Sequence, residues 1–180
     1  MSNRSWQESL GTQLDRLSRS DRPTRVAVMG IGHELCGDDA VGVRVAEMLH
    51  ARLRGGERLM VLTAGPAPEN FTSPLRRFQP DLVLLIDSAL MGDEPGAVRW
   101  LDPKDAQGFS ASTHTLPLDI LMSYLTAELG CTIGLIGIQP EQTFADAALT
   151  PRVQAAAQEV AAALDKRLTT AVQAAADVLS

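Results

Sequence analysis

The sequence predicts an α/β fold of three layers, in which helices cover both faces of a five-stranded, mostly parallel, twisted sheet with one antiparallel strand. Short apolar runs that end at glycine or at a polar residue alternate with longer segments whose apolar residues recur at helical spacing. The run Leu82–Ile86 consists of consecutive aliphatic residues. Such a run indicates a central strand that is covered on both faces.

The predicted strands are short and are bounded by glycine, proline or polar residues. They span residues 25–32, 59–63, 81–87, 97–101 and 131–138. The connection that directly precedes the fourth strand, residues 92–96, is short, whereas a parallel crossover needs about a dozen residues or more. The fourth strand is therefore predicted to run antiparallel.

The predicted helices are amphipathic or rich in alanine. They span residues 5–19, 39–53, 69–78, 117–129 and 151–178. In the last of these, Thr150 is predicted to cap the helix and Pro151 to occupy its first position. We assign residues 1–22 to an N-terminal extension with a short helix, and residues 23–180 to a single domain.

Composition excludes several classes of function. The chain has 180 residues, 21% of them charged, and a formal net charge of −6, whereas binding to nucleic acid or to a membrane surface favours a basic face. Its two cysteines are too few for a disulfide framework. The N-terminus lacks the apolar segment of a signal peptide. We therefore expect a cytoplasmic protein that binds neither nucleic acid nor membrane. We also expect a monomer.

Polar residues follow several of the predicted strands, at the edge of the sheet where ligands bind in open α/β folds. Asp39 follows the first strand, Asp87 ends the third and His114 follows the fourth. Two carboxylates and one imidazole suit a divalent ion such as zinc, nickel, iron or manganese, with positions left open for water or substrate.

Each of these residues also has a purely structural interpretation. Asp38 is predicted to cap the helix that follows it, which leaves Asp39 free to point elsewhere. Asp87 could be bonded to loop amides, and His114 could be a surface histidine. A buried carboxylate at position 87 is costly unless it is paired, hydrogen-bonded or bound to a metal.

Other motifs are weaker. The glycines at 30, 32 and 37 do not match the spacing of a dinucleotide fingerprint, and the second strand does not end in an acidic residue for a ribose. Cys36 lacks an evident neighbouring base that would make it a nucleophile.

At these residues the sequence resembles the maturation endopeptidases of [NiFe] hydrogenases, and most closely the branch that serves the formate-hydrogenlyase-type enzyme. The similarity runs from about residue 25 to about residue 165. The matching segments are Gly30–Asp39 (GIGHELCGDD), Ala64–Asn70 (AGPAPEN), Leu84–Gly92 (LLIDSALMG), Thr113–Leu118 (THTLPL) and Leu135–Pro140 (LIGIQP).

The resemblance implies a five-stranded sheet with one antiparallel strand, and an ion site formed by Asp39, Asp87 and His114. The implied reaction is one cleavage near the C-terminus of a hydrogenase large-subunit precursor. It follows nickel insertion, and the nickel is the recognition signal; zinc or cadmium could substitute. Substrate-binding residues are predicted at the same edge: Gly32, His33, Asp38, Gly42 and Gln139.

The sequence departs from the family pattern at two positions. His33 stands where the family usually has Asn or Asp, and Ala40 stands where it usually has Gly. His33 is either a fourth ligand or directed to solvent.

Three mechanisms stay open. The cluster grips the precursor's nickel, a bound ion activates water, or one aspartate acts as a general base; the resemblance favours the first. Two other functions also stay open: a non-catalytic nickel-binding assembly factor, and an α/β enzyme that acts on a small molecule or nucleotide.

Overall fold

The computed structural model describes residues 5–19, 22–53, 56–106 and 117–174. Two 3₁₀ turns, Gly37–Ala40 and Pro68–Phe71, directly precede the second and third α-helices. In chain order the helices and strands are α1 (Trp6–Leu17), β1 (Val26–Ile31), α2 (Val41–Arg52), β2 (Leu59–Gly65), α3 (Thr72–Phe78), β3 (Leu82–Ser88), β4 (Val98–Leu101), α4 (Leu118–Leu129), β5 (Thr132–Ile138) and α5 (Pro151–Ala174).

The strands form one five-stranded sheet in the order β2-β1-β3-β5-β4. β4 pairs antiparallel with β5, and the other pairs are parallel. The predicted fold class is therefore confirmed, including the antiparallel fourth strand. β3 lies in the middle of the order and every one of its residues is buried, as its aliphatic run predicts.

Alternate residues of β3 pack into two different cores. Leu82, Leu84 and Ile86 belong to a cluster with α1, α2 and α5. Val83 and Leu85 belong to a cluster with α3 and α4 on the other face. Because side chains alternate along a strand, the next two residues continue the pattern. The side chain at 87 is directed to the α3–α4 face, and the one at 88 is directed to the α2 face.

The N-terminal helix α1 packs into the first of these cores. Ser5 and Glu8 form a capping box, in which Ser5 Oγ accepts from the Glu8 N–H at 3.2 Å and Glu8 Oε2 accepts from the Ser5 N–H at 2.9 Å. Trp6, Leu10 and Leu14 are buried in this cluster, and α1 contacts α5 and β4. Within the described residues, none of the helices combines the length and the apolar character needed to cross a bilayer.

Two glycines let α2 begin in direct contact with the ends of β1 and β3. A Cβ at Gly42 would lie 2.0 Å from the carbonyl oxygen of Ile86 and 2.4 Å from that of Ile31, and a Cβ at Gly30 would lie 2.2 Å from the carbonyl oxygen of Gly42. The absent side chains therefore make room for the chain's own backbone. This contact places the turn that carries Asp39 at the carboxyl edge of the sheet.

Candidate active site

The structure brings the two predicted carboxylates together at the carboxyl edge of the sheet. Asp39 lies in the 3₁₀ turn before α2 and Asp87 lies near the end of β3, and each is only 2% exposed. The Ser88 hydroxyl donates to Asp39 Oδ1 at 3.0 Å, and the Ser88 N–H donates to Asp87 Oδ1 at 2.8 Å. One serine thus links both side chains.

The loop after β1 closes around Asp39. The His33 N–H donates to Asp39 Oδ2 at 2.8 Å. Gly32 has φ +131, and a Cβ there would lie 1.8 Å from the Asp39 carbonyl oxygen, so only glycine fits. His33 is half-buried, and its Nδ1 accepts from the Leu35 N–H at 3.2 Å. His33 therefore contributes its backbone to the site and its Nδ1 to its own loop.

Burial raises the pKa of Asp87 well above its ordinary value, and the charge of Asp39 raises that pKa further. The hydrogen bond from the Ser88 N–H acts in the opposite direction and is the smaller effect. The described loops at this edge, residues 32–40, 65–71, 88–97 and 139–150, contain no lysine or arginine. A cation or a hydrogen-bond donor bound here would offset the cost of the two buried carboxylates.

Asp38 does not cap a helix, so that prediction is wrong. Neither the 3₁₀ turn nor α2 has a side-chain capping bond, because the Asp38 carboxylate turns toward a distant loop. It accepts from the N–H groups of Glu141, Gln142 and Thr150 at 2.9, 3.1 and 2.7 Å, and from the Thr150 hydroxyl at 3.0 and 3.1 Å. The Thr150 hydroxyl, predicted to cap α5, thus donates to Asp38.

Backbone hydrogen bonds join the loop of residues 33–38 to that of residues 141–150. The Asp146 N–H donates to the Leu35 carbonyl at 2.6 Å, and the Gly37 N–H donates to the Ala147 carbonyl at 3.2 Å. Leu35 is nevertheless 60% exposed, and Phe144 on the second loop is 73% exposed. We call these two joined loops the rim; it presents apolar side chains on a hydrogen-bonded backbone.

Gln139 holds the loop that follows Asp87 and Ser88. Its Oε1 accepts from the Met91 N–H at 2.7 Å and the Asp93 N–H at 3.3 Å, and its Nε2 donates to the Pro140 carbonyl at 3.2 Å. The side chain is only 7% exposed. The hydrogen bonds of the Gln139 side chain are thus with the protein itself. Substrate binding stays a prediction for Gln139 and for the other residues predicted to bind substrate, which are Gly32, His33, Asp38 and Gly42.

The third predicted ligand, His114, lies outside the described residues. Within the described ranges, no group of three or more His, Cys, Asp or Glu side chains is arranged to hold a metal ion. Sequence reasoning missed Ser88, which is 0% exposed and contacts both carboxylates. The signal that could have revealed it is a hydroxyl residue directly after Asp87 in a fully buried strand.

Comparison with known proteins agrees with this fold. A family model described as hydrogenase maturation protease matches residues 43–167. A putative hydrogenase maturation protease of Methanocaldococcus jannaschii is 38% identical over 135 residues, which are 71% of this chain and 78% of that protein. The hydrogenase 3 maturation protease of Escherichia coli K12 is 37% identical over 112 residues, which are 62% of this chain and 70% of that protein.

A solved structure has the same architecture. The crystal structure of the [NiFe] hydrogenase maturation protease HycI of Thermococcus kodakarensis superposes with a TM-score of 0.75 at 32% identity, covering 89% of this chain and 98% of that one. The resemblance seen in the motifs is thereby confirmed. The chain belongs to the hydrogenase maturation protease family, and it is a hydrolase of the peptidase class.

Proposed function

We propose that this endopeptidase removes the C-terminal extension of a [NiFe] hydrogenase large-subunit precursor after nickel insertion. Asp39, Asp87 and His114 form the cluster that recognises the precursor's nickel. The observation that carries the proposal is the buried pair of carboxylates joined through Ser88 at the carboxyl edge of the sheet. Family membership supports peptide hydrolysis as the reaction.

The chemistry of the site suits a divalent cation. Carboxylate oxygens and an imidazole nitrogen are ligands that nickel, zinc and cadmium accept. Two buried carboxylates with no lysine or arginine in the surrounding described loops favour a bound positive charge. The nickel belongs to the precursor and is therefore part of the substrate. Asp39 and Asp87 bind and orient it, so that the scissile bond lies next to the site.

The decisive experiment compares nickel-loaded with nickel-free precursor. We expect mass spectrometry to show loss of a C-terminal peptide from the loaded precursor only, and Asp39→Ala and His114→Ala proteins to leave it intact while keeping their fold. Equal cleavage of the two precursors would contradict the proposal that the enzyme recognises nickel. Binding of the loaded precursor without shortening would instead support a non-catalytic assembly factor.

The glycines near the site weigh against the nucleotide alternative. In a dinucleotide site, glycines leave space for a pyrophosphate. Here a Cβ at Gly30 would lie 2.2 Å from the Gly42 carbonyl oxygen, and a Cβ at Gly32 would lie 1.8 Å from the Asp39 carbonyl oxygen, so the chain's own backbone fills the space at both glycines. Neither glycine leaves a cradle for phosphate.

The rim is proposed to contact the precursor next to the scissile bond. Contiguous exposed apolar surface marks interaction sites. Leu35 and Phe144 are the most exposed large apolar residues described, and they lie on two loops that backbone hydrogen bonds join. We expect the double change Leu35→Ser and Phe144→Ser to raise KM for the precursor about tenfold or more, with kcat nearly unchanged.

The matched control is Ile120→Ser, because Ile120 is also an exposed apolar residue, at 50%, but lies on α4. Its KM should stay at the wild-type value. If KM rose as much in the control as in the rim variant, the result would contradict the proposal that the precursor contacts the rim.

We also propose a cytoplasmic location. Cys36 and Cys131 are both unpaired, as in a reducing compartment. A monomeric state stays a prediction.

A further inference from the structure

We propose that Ser88 is a positioning residue, which holds Asp39 and Asp87 in the relative geometry that cleavage requires. The inference rests on the proposed function of this site. Ser88 is 0% exposed, and it contacts both carboxylates through different atoms: its hydroxyl donates to Asp39 and its backbone N–H donates to Asp87. Ser88 is therefore hydrogen-bonded to both carboxylates.

The alternation of β3 explains why one residue reaches both. Position 88 continues the series Leu82, Leu84 and Ile86, whose side chains face α2. The turn that carries Asp39 lies at the start of α2, held there by the contact of Gly42 with Ile86. The hydroxyl of Ser88 is thus directed at Asp39, while its N–H remains beside the side chain of the preceding residue.

The two carboxylates need such a link because they are buried and carry like charges. At 2% exposure, neither is well hydrated, and their mutual repulsion favours any rotation that separates them. The Ser88 hydroxyl opposes this rotation by holding Asp39 Oδ1, while the His33 N–H holds Oδ2. Directional hydrogen bonds from a buried donor set the orientation of a ligand side chain more strictly than packing alone.

The variant Ser88→Ala separates the two halves of this link. It removes the hydroxyl bond to Asp39 and keeps the backbone N–H bond to Asp87. We expect kcat for nickel-loaded precursor to fall about 10- to 100-fold, the range found when partners of ligating residues are removed. KM should also rise, because the nickel that the two carboxylates bind is part of the precursor, although the contacts of the rim are unchanged. The affinity of the free protein for added Ni²⁺, measured by calorimetry, should fall by a similar factor.

Two further variants separate positioning from folding. Ser88→Thr keeps the hydroxyl and is β-branched, as strands favour, so it should retain most of the activity and of the Ni²⁺ affinity. Thr126→Val is the control, because Thr126 lies on the exposed face of α4 and its hydroxyl donates to the Met122 carbonyl at 2.7 Å. It loses a hydroxyl hydrogen bond away from the site, and its kcat and Ni²⁺ affinity should equal those of the wild type.

The outcomes decide the proposal directly. Wild-type kcat and wild-type Ni²⁺ affinity in Ser88→Ala would overturn it. So would a Ser88→Thr protein that melts like the wild type yet is as inactive as Ser88→Ala. If the wild-type chain itself leaves the precursor uncut, the proposed function fails, and the Ni²⁺ affinities of the same variants still decide the role of Ser88.

Discussion

Asp87→Asn is expected to lose cleavage of the nickel-loaded precursor by at least about 100-fold and, at the same time, to melt at a higher temperature than the wild type at pH 7. Asparagine has the shape of aspartate but no charge. The wild-type side chain is 2% exposed, and burial and the neighbouring Asp39 raise its pKa well above the ordinary value. Removing the charge thus stabilises the folded state, because a buried charge opposes folding. It also removes a carboxylate that binds the substrate, so activity is lost.

The sign of the pH dependence follows from the raised pKa. A carboxyl group whose pKa is higher in the folded state binds its proton more tightly there, so the folded state is favoured below the ordinary pKa of about 3.9. This stabilisation of the wild type is lost as pH rises from that value through the folded-state pKa of Asp87. Asp87→Asn does not lose stability in this way, because asparagine does not titrate. The difference in Tm between Asp87→Asn and the wild type should therefore be absent near pH 4 and grow as pH rises.

The pKa shift sets the size of the effect on the melting temperature. Each pH unit by which the folded-state pKa is raised corresponds to about 1.4 kcal/mol, and 1 kcal/mol changes Tm of a chain of this size by about 2–4 °C. We therefore expect Asp87→Asn to melt at a higher temperature than the wild type at pH 7, by about 2–4 °C for each kcal/mol of removed cost. Thermal unfolding with chelator from pH 4 to 8 measures this, with Asp105→Asn at an exposed position as control. A lower Tm for Asp87→Asn at pH 7 would contradict the assignment of a buried, destabilising charge.

Asp38→Ala is expected to cost about 3 kcal/mol or more of unfolding free energy, because it leaves several donors without their acceptor. The carboxylate is 0% exposed and accepts from three backbone N–H groups and one hydroxyl. At 2–4 °C per kcal/mol, Tm should fall by roughly 6 °C or more. Chemical denaturation gives the free energy directly.

Amide hydrogen exchange locates the effect. In Asp38→Ala, the amides of Glu141, Gln142 and Thr150 should exchange faster than in the wild type, because their acceptor is gone. Asp38→Asn retains one acceptor oxygen and should be intermediate. Exchange that accelerates equally in α3 would show general unfolding and would refute a local link between the two loops.

The sequence alone determines the architecture and the general location of the site. The alternation of apolar runs and amphipathic segments sets the α/β class, because each sheet face must be covered by helices. The residues between β3 and β4 are too few for a crossover, which makes β4 antiparallel. Because the carboxyl ends of parallel strands share one edge, Asp39 and Asp87 are expected there from their positions in the chain alone.

Only the tertiary structure decides what each polar residue contacts. The partners of Asp38 are 103 to 112 residues away in sequence. The local sequence therefore predicts a helix cap, whereas the tertiary structure shows that Asp38 links two loops. Ser88 gains its role because strand alternation and the close approach of α2 direct its hydroxyl at Asp39. Hydrogen bonds depend on distances of a few tenths of an ångström between elements that are remote in sequence. The sequence therefore identifies the two carboxylates, whereas the fold identifies what holds them together.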